Sequence, residues 1–183
     1  MGDGRKMIVS NSGPLIHLAK IDRLKLLKEL FAEIIIPLEV MIEVVDRGKK
    51  EGMADAFLIE NEIENGWIVP EKNSNNKFRD IAESAGIDIG EAAAIMLARR
   101  KKCPVLIDDL AARRFAIGLG LEVIGSIGVL IRCGRVKTIS KTEALEALEK
   151  LGRVMWLSID VYVDAQKIID ELPSRGSKGQ ESP

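Results

Sequence analysis

Two cysteines and a single histidine are all that the 183-residue chain offers of the residues that build disulfide frameworks and zinc sites. Cys103 and Cys133 lie in apolar or basic surroundings without metal-type spacing, so a reduced, cytoplasmic protein is expected, with no signal peptide ahead of the first strand. Aromatic residues make up only 4%. The core must therefore be filled by Ile, Leu, Val, Ala and Met, and base stacking on aromatic platforms is not an expected route to nucleic acid. Neither sign of charge prevails: 27 Lys and Arg oppose 28 Asp and Glu for a net of -1, so any phosphate must be held locally. Charged residues interrupt every apolar run before it reaches bilayer length, which excludes a membrane-spanning segment. No G-x-G-x-x-G or Walker pattern occurs. Gly118-Leu-Gly120 precedes a strand and reads as a helix stop, and nucleotide cofactors lose their support.

What is present is a hydrophobic content of 46%, enough for one domain with a substantial core. Short β-branched runs alternate with segments of helical period. The strands fall at Met7 to Ser10, Glu33 to Ile36 closed by Pro37, Trp67 to Val69 closed by Pro70, Val105 to Ile107, and Leu121 to Ile124. Between them, Ser12 is placed to cap a helix begun through Pro14, and helical spacing continues over Leu24 to Leu30. Leu38, Met41, Val44 and Val45 mark another helix, and Ala54 to Asn65 a further one stopped by Gly66. Glu71 to Lys77 reads as a polar loop and Phe78 to Ala85 as a helix. Asp88-Ile-Gly-Glu91 has the form of a capping box and opens the Ala-rich helix that ends at Arg99-Arg-Lys-Lys102, a cationic run suited to a helix C-terminus. Asp108 or Asp109 caps the helix Leu110 to Ile117, Ser126 starts another, Ser140 to Glu143 is a second capping box, and Ser158 caps a last helix to Leu172.

That alternation predicts an α/β/α sandwich with a mostly parallel central sheet. The expected organisation is a frayed 1–6, a domain over 7–135, a helical extension 136–172 packed on it, and a disordered tail 173–183. Such sheets bind ligands beyond the carboxyl ends of their strands. Polar residues collect there: Asn11 after the first strand, Asp108 and Asp109 after the fourth, and Glu91 in the first turn of the helix feeding it. Glu43 adds to them, because within Met41-Ile42-Glu43-Val44-Val45 it needs a polar stripe to be solvated, and Glu39 shares that stripe.

Grouped carboxylates repel one another, and an all-oxygen set suits Mg²⁺ or Mn²⁺. Such ions bridge carboxylates to phosphate oxygens and activate water for attack on a phosphodiester, so phosphoryl hydrolysis is the chemistry inferred. Each residue also has an ordinary role open to it. Glu91 can be only the third residue of a capping box, Asp108 or Asp109 only a cap, and Glu43 the partner of Lys49 or Arg47. His17, alone beside Leu18, reads as structural. Arg113 and Arg114 follow the aspartates by about one helical turn, so at least one can face a phosphate.

"IVSNSGPLIHLAKI", "IPLEVMIEVV", "GIDIGEAAAIMLA" and "VLIDDLAARRFAIGLGLEVIGSIGVLI" occur in that order, and together they resemble the PIN-domain superfamily over Met7 to Arg135. The nearest likeness is to prokaryotic nucleases related to toxin-antitoxin ribonucleases. The resemblance implies a parallel-sheet α/β/α sandwich whose acids hold Mg²⁺ or Mn²⁺ to cleave single-stranded RNA, with an antitoxin-like protein as a possible partner. It places metal ligands at Glu43, Glu91 and Asp108 or Asp109. The acid usual at the first strand falls on Asn11, and Ser12 takes the following hydroxyl position. Asn11 brings an oxygen but no charge, which at about 4 Å and an effective dielectric near 20 removes attraction of order a few kcal/mol. The rival reading is a catalytically inactive module that binds RNA or protein. Leu145, Leu148, Trp156 and Val161 give the late helices apolar residues beyond what the sandwich needs, and a homodimer is expected from them.

Overall fold

The β-branched runs pair into one sheet in which every strand is parallel. In the computed structural model, which describes residues 6–73 and 78–173, the strands are β1 (Lys6–Ser10), β2 (Phe31–Pro37), β3 (Ile68–Glu71), β4 (Val105–Leu106) and β5 (Val123–Ile124), in the order β3-β2-β1-β4-β5. β1 leads into α1 (Ser12–Lys20) and α2 (Leu26–Leu30). β2 leads into α3 (Leu38–Met41), a π-helical segment (Ile42–Arg47), α4 (Gly48–Lys50) and α5 (Ala54–Glu64). After β3 come α6 (Phe78–Ala85) and α7 (Ile89–Lys101), and after β4 comes α8 (Leu110–Gly118). β5 is followed by α9 (Ser126–Arg135), α10 (Lys141–Val154) and α11 (Ile159–Asp170).

Side chains alternate across a strand, and here both faces are apolar. Ile8, Ile34, Ile36, Leu106 and Ile124 join a core with Leu15 and Leu18 of α1, Ile59 of α5 and Leu130 of α9. Their neighbours Val9, Ile35, Val105 and Ile107 point the other way, onto Ala94, Ile95, Leu97 and Ala98 of α7 and Ala112 and Ala116 of α8. Pairing of Val9 with both Ile35 and Val105 holds β1 at the centre. The run of alanines on α7 lets that helix lie close on the sheet, so its first turn is held near the strand ends. Helices beyond Arg135 add Ala144, Leu148, Leu151 and Ile169 to the first core. Cys133 is buried there, and burial, then the charge of Glu29, pushes its thiol up to about 12, which leaves it unreactive. No described helix is long and apolar enough to cross a membrane.

Several local expectations are corrected. Lys6, expected to fray, pairs with Phe31 as the first residue of β1. The remaining terminal expectations, for 1–5 and 174–183, and 74–77 of the expected loop, lie outside the described residues. Ser12 is the first residue of α1, not its cap; Asn11 holds the cap position in extended conformation without a side-chain capping bond. Pro70 lies inside β3, where an edge position tolerates a missing N–H. Glu71 closes that strand and takes ion pairs from Arg100 and Lys101, each at 2.7 Å, so the cationic end of α7 is tied to β3. The helix after β2 turns π-helical at Ile42. Leu148 is fully buried in the core and Leu145 half-buried against it, so neither is free to form a dimer face; Trp156 and Val161 are exposed.

Ile95 is fully buried at the centre of the α7 contact. Ile95→Ala is expected to lower stability by about 2–5 kcal/mol in urea unfolding, with the slope of the transition unchanged.

Candidate functional site at the carboxyl end of the sheet

Strands are added on one side of β1 up to β3 and on its other side from β4, so the ends of the parallel β1 and β4 frame a crevice. The Asn11 amide donates to the Leu106 carbonyl at 3.1 Å, which sets Asn11 beside the residues that follow β4. Only 3% of Asn11 is exposed, and its Oδ1 has no hydrogen-bond partner among the described residues. A buried carbonyl oxygen left unpaired costs about 1–3 kcal/mol, and such an atom in a crevice is poised for a ligand.

Asp108 is fully engaged. Its Oδ1 accepts from the Ser126 amide at 2.7 Å, and its Oδ2 accepts from Ser126 Oγ at 2.6 Å and is 2.7 Å from His17 Nδ1. The Ser126 amide opens α9, where the helix dipole also favours an anion. Glycine at 125 is required by this packing: a β-carbon there would lie 2.8 Å from Arg113 Nη1 and 2.9 Å from Asp108 Oδ1. Arg113 is anchored in turn, Nη1 donating to the Ile107 carbonyl at 2.9 Å. Of the two aspartates, Asp109 is the cap, its Oδ1 accepting from the Ala112 amide at 2.9 Å.

Glu91 closes the expected capping box, its Oε2 accepting from the Asp88 amide at 3.0 Å. Burial nevertheless pushes its carboxyl up to about 7, and the negative charges of Asp109, Asp88 and Glu43 add to the shift against that hydrogen bond. Two acids from other segments, Asp109 and Glu43, therefore act on Glu91 together with its helix neighbour Asp88. Glu43 is brought to α7 by the π-helical segment: a β-carbon on Gly90, the residue before Glu91, would lie 3.2 Å from Glu43 Oε2. π-Turns recur at functional positions for this reason, since the extra residue re-aims a side chain. Lys49, a possible partner for Glu43, instead pairs with Glu60 at 2.7 Å. Glu39, on the same stripe, keeps Oε2 buried without a partner among the described residues.

Asn11, Ser12, Glu91, Asp108, Asp109 and Arg113 all line one cavity of about 940 Å³. Glu43 and Arg114 do not, and Arg114 is exposed. The opposite end of the strands has a smaller hollow lined by Lys6, Arg99, Lys101 and Lys102, with Glu122 its only acid. The carboxylate chemistry thus belongs to the carboxyl end. Among the described residues, no three acids, histidines or cysteines close into a ready-made metal cluster. The donor set still fits a hard divalent cation: oxygen donors only, mutual repulsion to be relieved, and an unpartnered Asn11 oxygen. His17, Gly125 and Trp156 also line this cavity, and Ser126 supports it through Asp108; none of the four stands out as a site residue in the sequence. In the sequence His17 reads as structural, Ser126 as a helix start and Trp156 as part of a dimer face, and Gly125 carries no signal.

A family model described as DUF3368, PIN domain, matches residues 7–171. No curated protein matches the chain.

A raised Glu91 binds its proton more tightly in the folded than in the unfolded state, so its ionisation weakens folding as pH climbs from about 4.5 to about 7. In metal-free buffer, thermal melts of wild type and Glu91→Gln are expected to diverge across that window. The variant gains relative stability as pH rises, and the gap levels off above about 7.

Proposed function

Because the chain belongs to the PIN-domain family, matched from residue 7 to residue 171, we propose that it is a Mg²⁺- or Mn²⁺-dependent ribonuclease that hydrolyses phosphodiester bonds of single-stranded RNA. The observation that carries this reading is the electrostatic load on Glu91, raised to about 7 by burial and by Asp109, Asp88 and Glu43 at the carboxyl end of the sheet. Repulsion of this kind opposes folding, and groups perturbed in this way cluster at functional sites. Glu43, Glu91 and Asp109 are the carboxylates that would hold the cation, with Asn11 Oδ1 as a neutral donor. Bound there, the ion would supply polarisation of a phosphoryl oxygen and a lowered pKa for water.

The chain's own groups do the remaining work. Glu91, whose carboxyl is raised to about 7 by burial and by neighbouring acids in the metal-free site, takes its charged form most readily once a cation relieves that repulsion. Asp108, held by Ser126 and His17, is a rigid support or an alternate ligand. Ser12 and the anchored Arg113 are placed on the cavity wall to contact phosphate, Arg113 with its remaining N–H groups. Arg114, outside the cavity, is not assigned that role.

A second reading, an inactive module that binds RNA or protein, is favoured by two observations. Asn11 supplies no charge, and Asp108 is already committed to Ser126 and His17. Protein from a nuclease-deficient host is expected to cleave single-stranded RNA with Mn²⁺ or Mg²⁺ and to stop on chelation. Glu91→Gln should slow it by about 100-fold or more. Cleavage unchanged in that variant would refute the hydrolase. If only Asn11→Asp cleaves, the inactive module is correct. By calorimetry, Asn11→Asp is expected to tighten Mn²⁺ binding at least about tenfold, whether or not turnover changes.

A further inference from the structure

The chain has two tryptophans, and their surroundings are opposite. Trp67 is 6% exposed, with Nε1 donating to Glu62 Oε2 at 2.6 Å. Trp156 is 88% exposed, and it lines the same cavity as Asn11, Glu91 and Asp109. An indole left in water contributes little to folding, so its position calls for another account.

The backbone that presents it is well fixed. On one side the Met155 amide donates to the Leu151 carbonyl at 2.9 Å, and the Val154 and Met155 side chains pack on the core. On the other, Ser158 caps α11: its Oγ accepts from the Val161 amide at 3.3 Å and its carbonyl from the Tyr162 amide at 3.0 Å. Between these anchors only the indole stands free. The cavity lining is of two kinds, the acids and the Asn11 amide on the one hand and the apolar Met155, Trp156, Leu157 and Val161 on the other. Arg113 and Arg132 also line it, Arg132 being paired with Glu122 at 2.7 Å. A nucleotide is divided likewise, into a charged phosphate and a flat, uncharged base.

We propose that Trp156 is a base-stacking platform, on which an unpaired nucleobase of the RNA chain lies while its phosphate occupies the acidic part of the same cavity. This rests on reading the cavity as an RNA site. Stacking on an aromatic ring is tolerant of sequence because every base has a π-face, and it selects single strands because paired bases have their faces covered. Continuity between the indole and the carboxylates, which line one cavity, favours RNA over a second copy of the chain.

Since Trp67 is shielded, acrylamide quenching and ligand-induced changes in emission report on Trp156. The probe is a short 2′-O-methyl oligonucleotide with Ca²⁺, single-stranded or annealed to its complement. The single strand is expected to quench the emission and protect it from acrylamide, and the duplex to do neither. Trp156→Ala should weaken single-strand binding roughly 5- to 100-fold in anisotropy titrations, and Trp156→Phe should restore most of it.

Unaltered emission at saturation, or wild-type affinity in Trp156→Ala, would overturn the platform. So would acrylamide protection that rises with protein concentration in the absence of RNA, because a second copy would then cover the indole. The two readings separate cleanly. Quenching without metal-dependent cleavage supports the platform and refutes the hydrolase; cleavage with an unchanged KM in Trp156→Ala refutes the platform alone.

Discussion

The amide of Asn11 donates to the carbonyl of Leu106, one step beyond the last residue of β1. That bond continues the parallel ladder in which Val9 faces Val105 and Ser10 faces Leu106, and it holds the two chains together as they leave the sheet. Parallel pairing sends both chains out at the same edge, and the strand order makes this the place where the connections part to opposite sides. Asn11 begins α1 on one layer, whereas Asp109 begins α8 on the other. The crevice between them follows from register, and each polar group in it is placed by the end of a strand or the start of a helix.

Charge at this edge is balanced unevenly. Asp108 is fully compensated by the α9 amide, a hydroxyl and an imidazole nitrogen. Asp109 is partly satisfied as a cap, and Glu91 by its reciprocal bond to Asp88. Yet the burial and acidic surroundings of Glu91 outweigh that bond and push its carboxyl to about 7. An ordinary capping glutamate stands in water and keeps its usual affinity for protons. The same residue thus serves the helix through its capping box and bears the charge of the acids around it.

Much of this was legible because it depends on local chemistry. Alternating apolar runs located the five strands, and Asp88 to Glu91 and Ser140 to Glu143 form the capping boxes their spacing implies. Carboxylates after Ile107 and in the first turn of α7 were placed at the right edge because parallel strands end together. What was missed depends on three dimensions. The partnership of His17 with Asp108 spans 91 positions and leaves no pattern in either segment. The π-helical segment around Glu43 uses residues that fit an α-helix equally well, so its extra turn width comes from packing. Leu148 and Trp156 were read alike as surplus apolar residues. The structure buries one completely within α10 and exposes the other in the connection between α10 and α11. The low aromatic content argues against a stacking surface, yet one of the two indoles is exposed at the cavity.

The two borders of the sheet have a bearing on how the protein behaves when concentrated. β3 carries Pro70, which cannot donate from its backbone, and β5 offers only Val123 and Ile124. Neither border presents the long row of unpaired amides that templates cross-strand association between molecules. A sheet apolar on both faces, and so prone to stick if it grew, is thereby limited to its own five strands, which favours discrete particles over fibrous or amorphous aggregates.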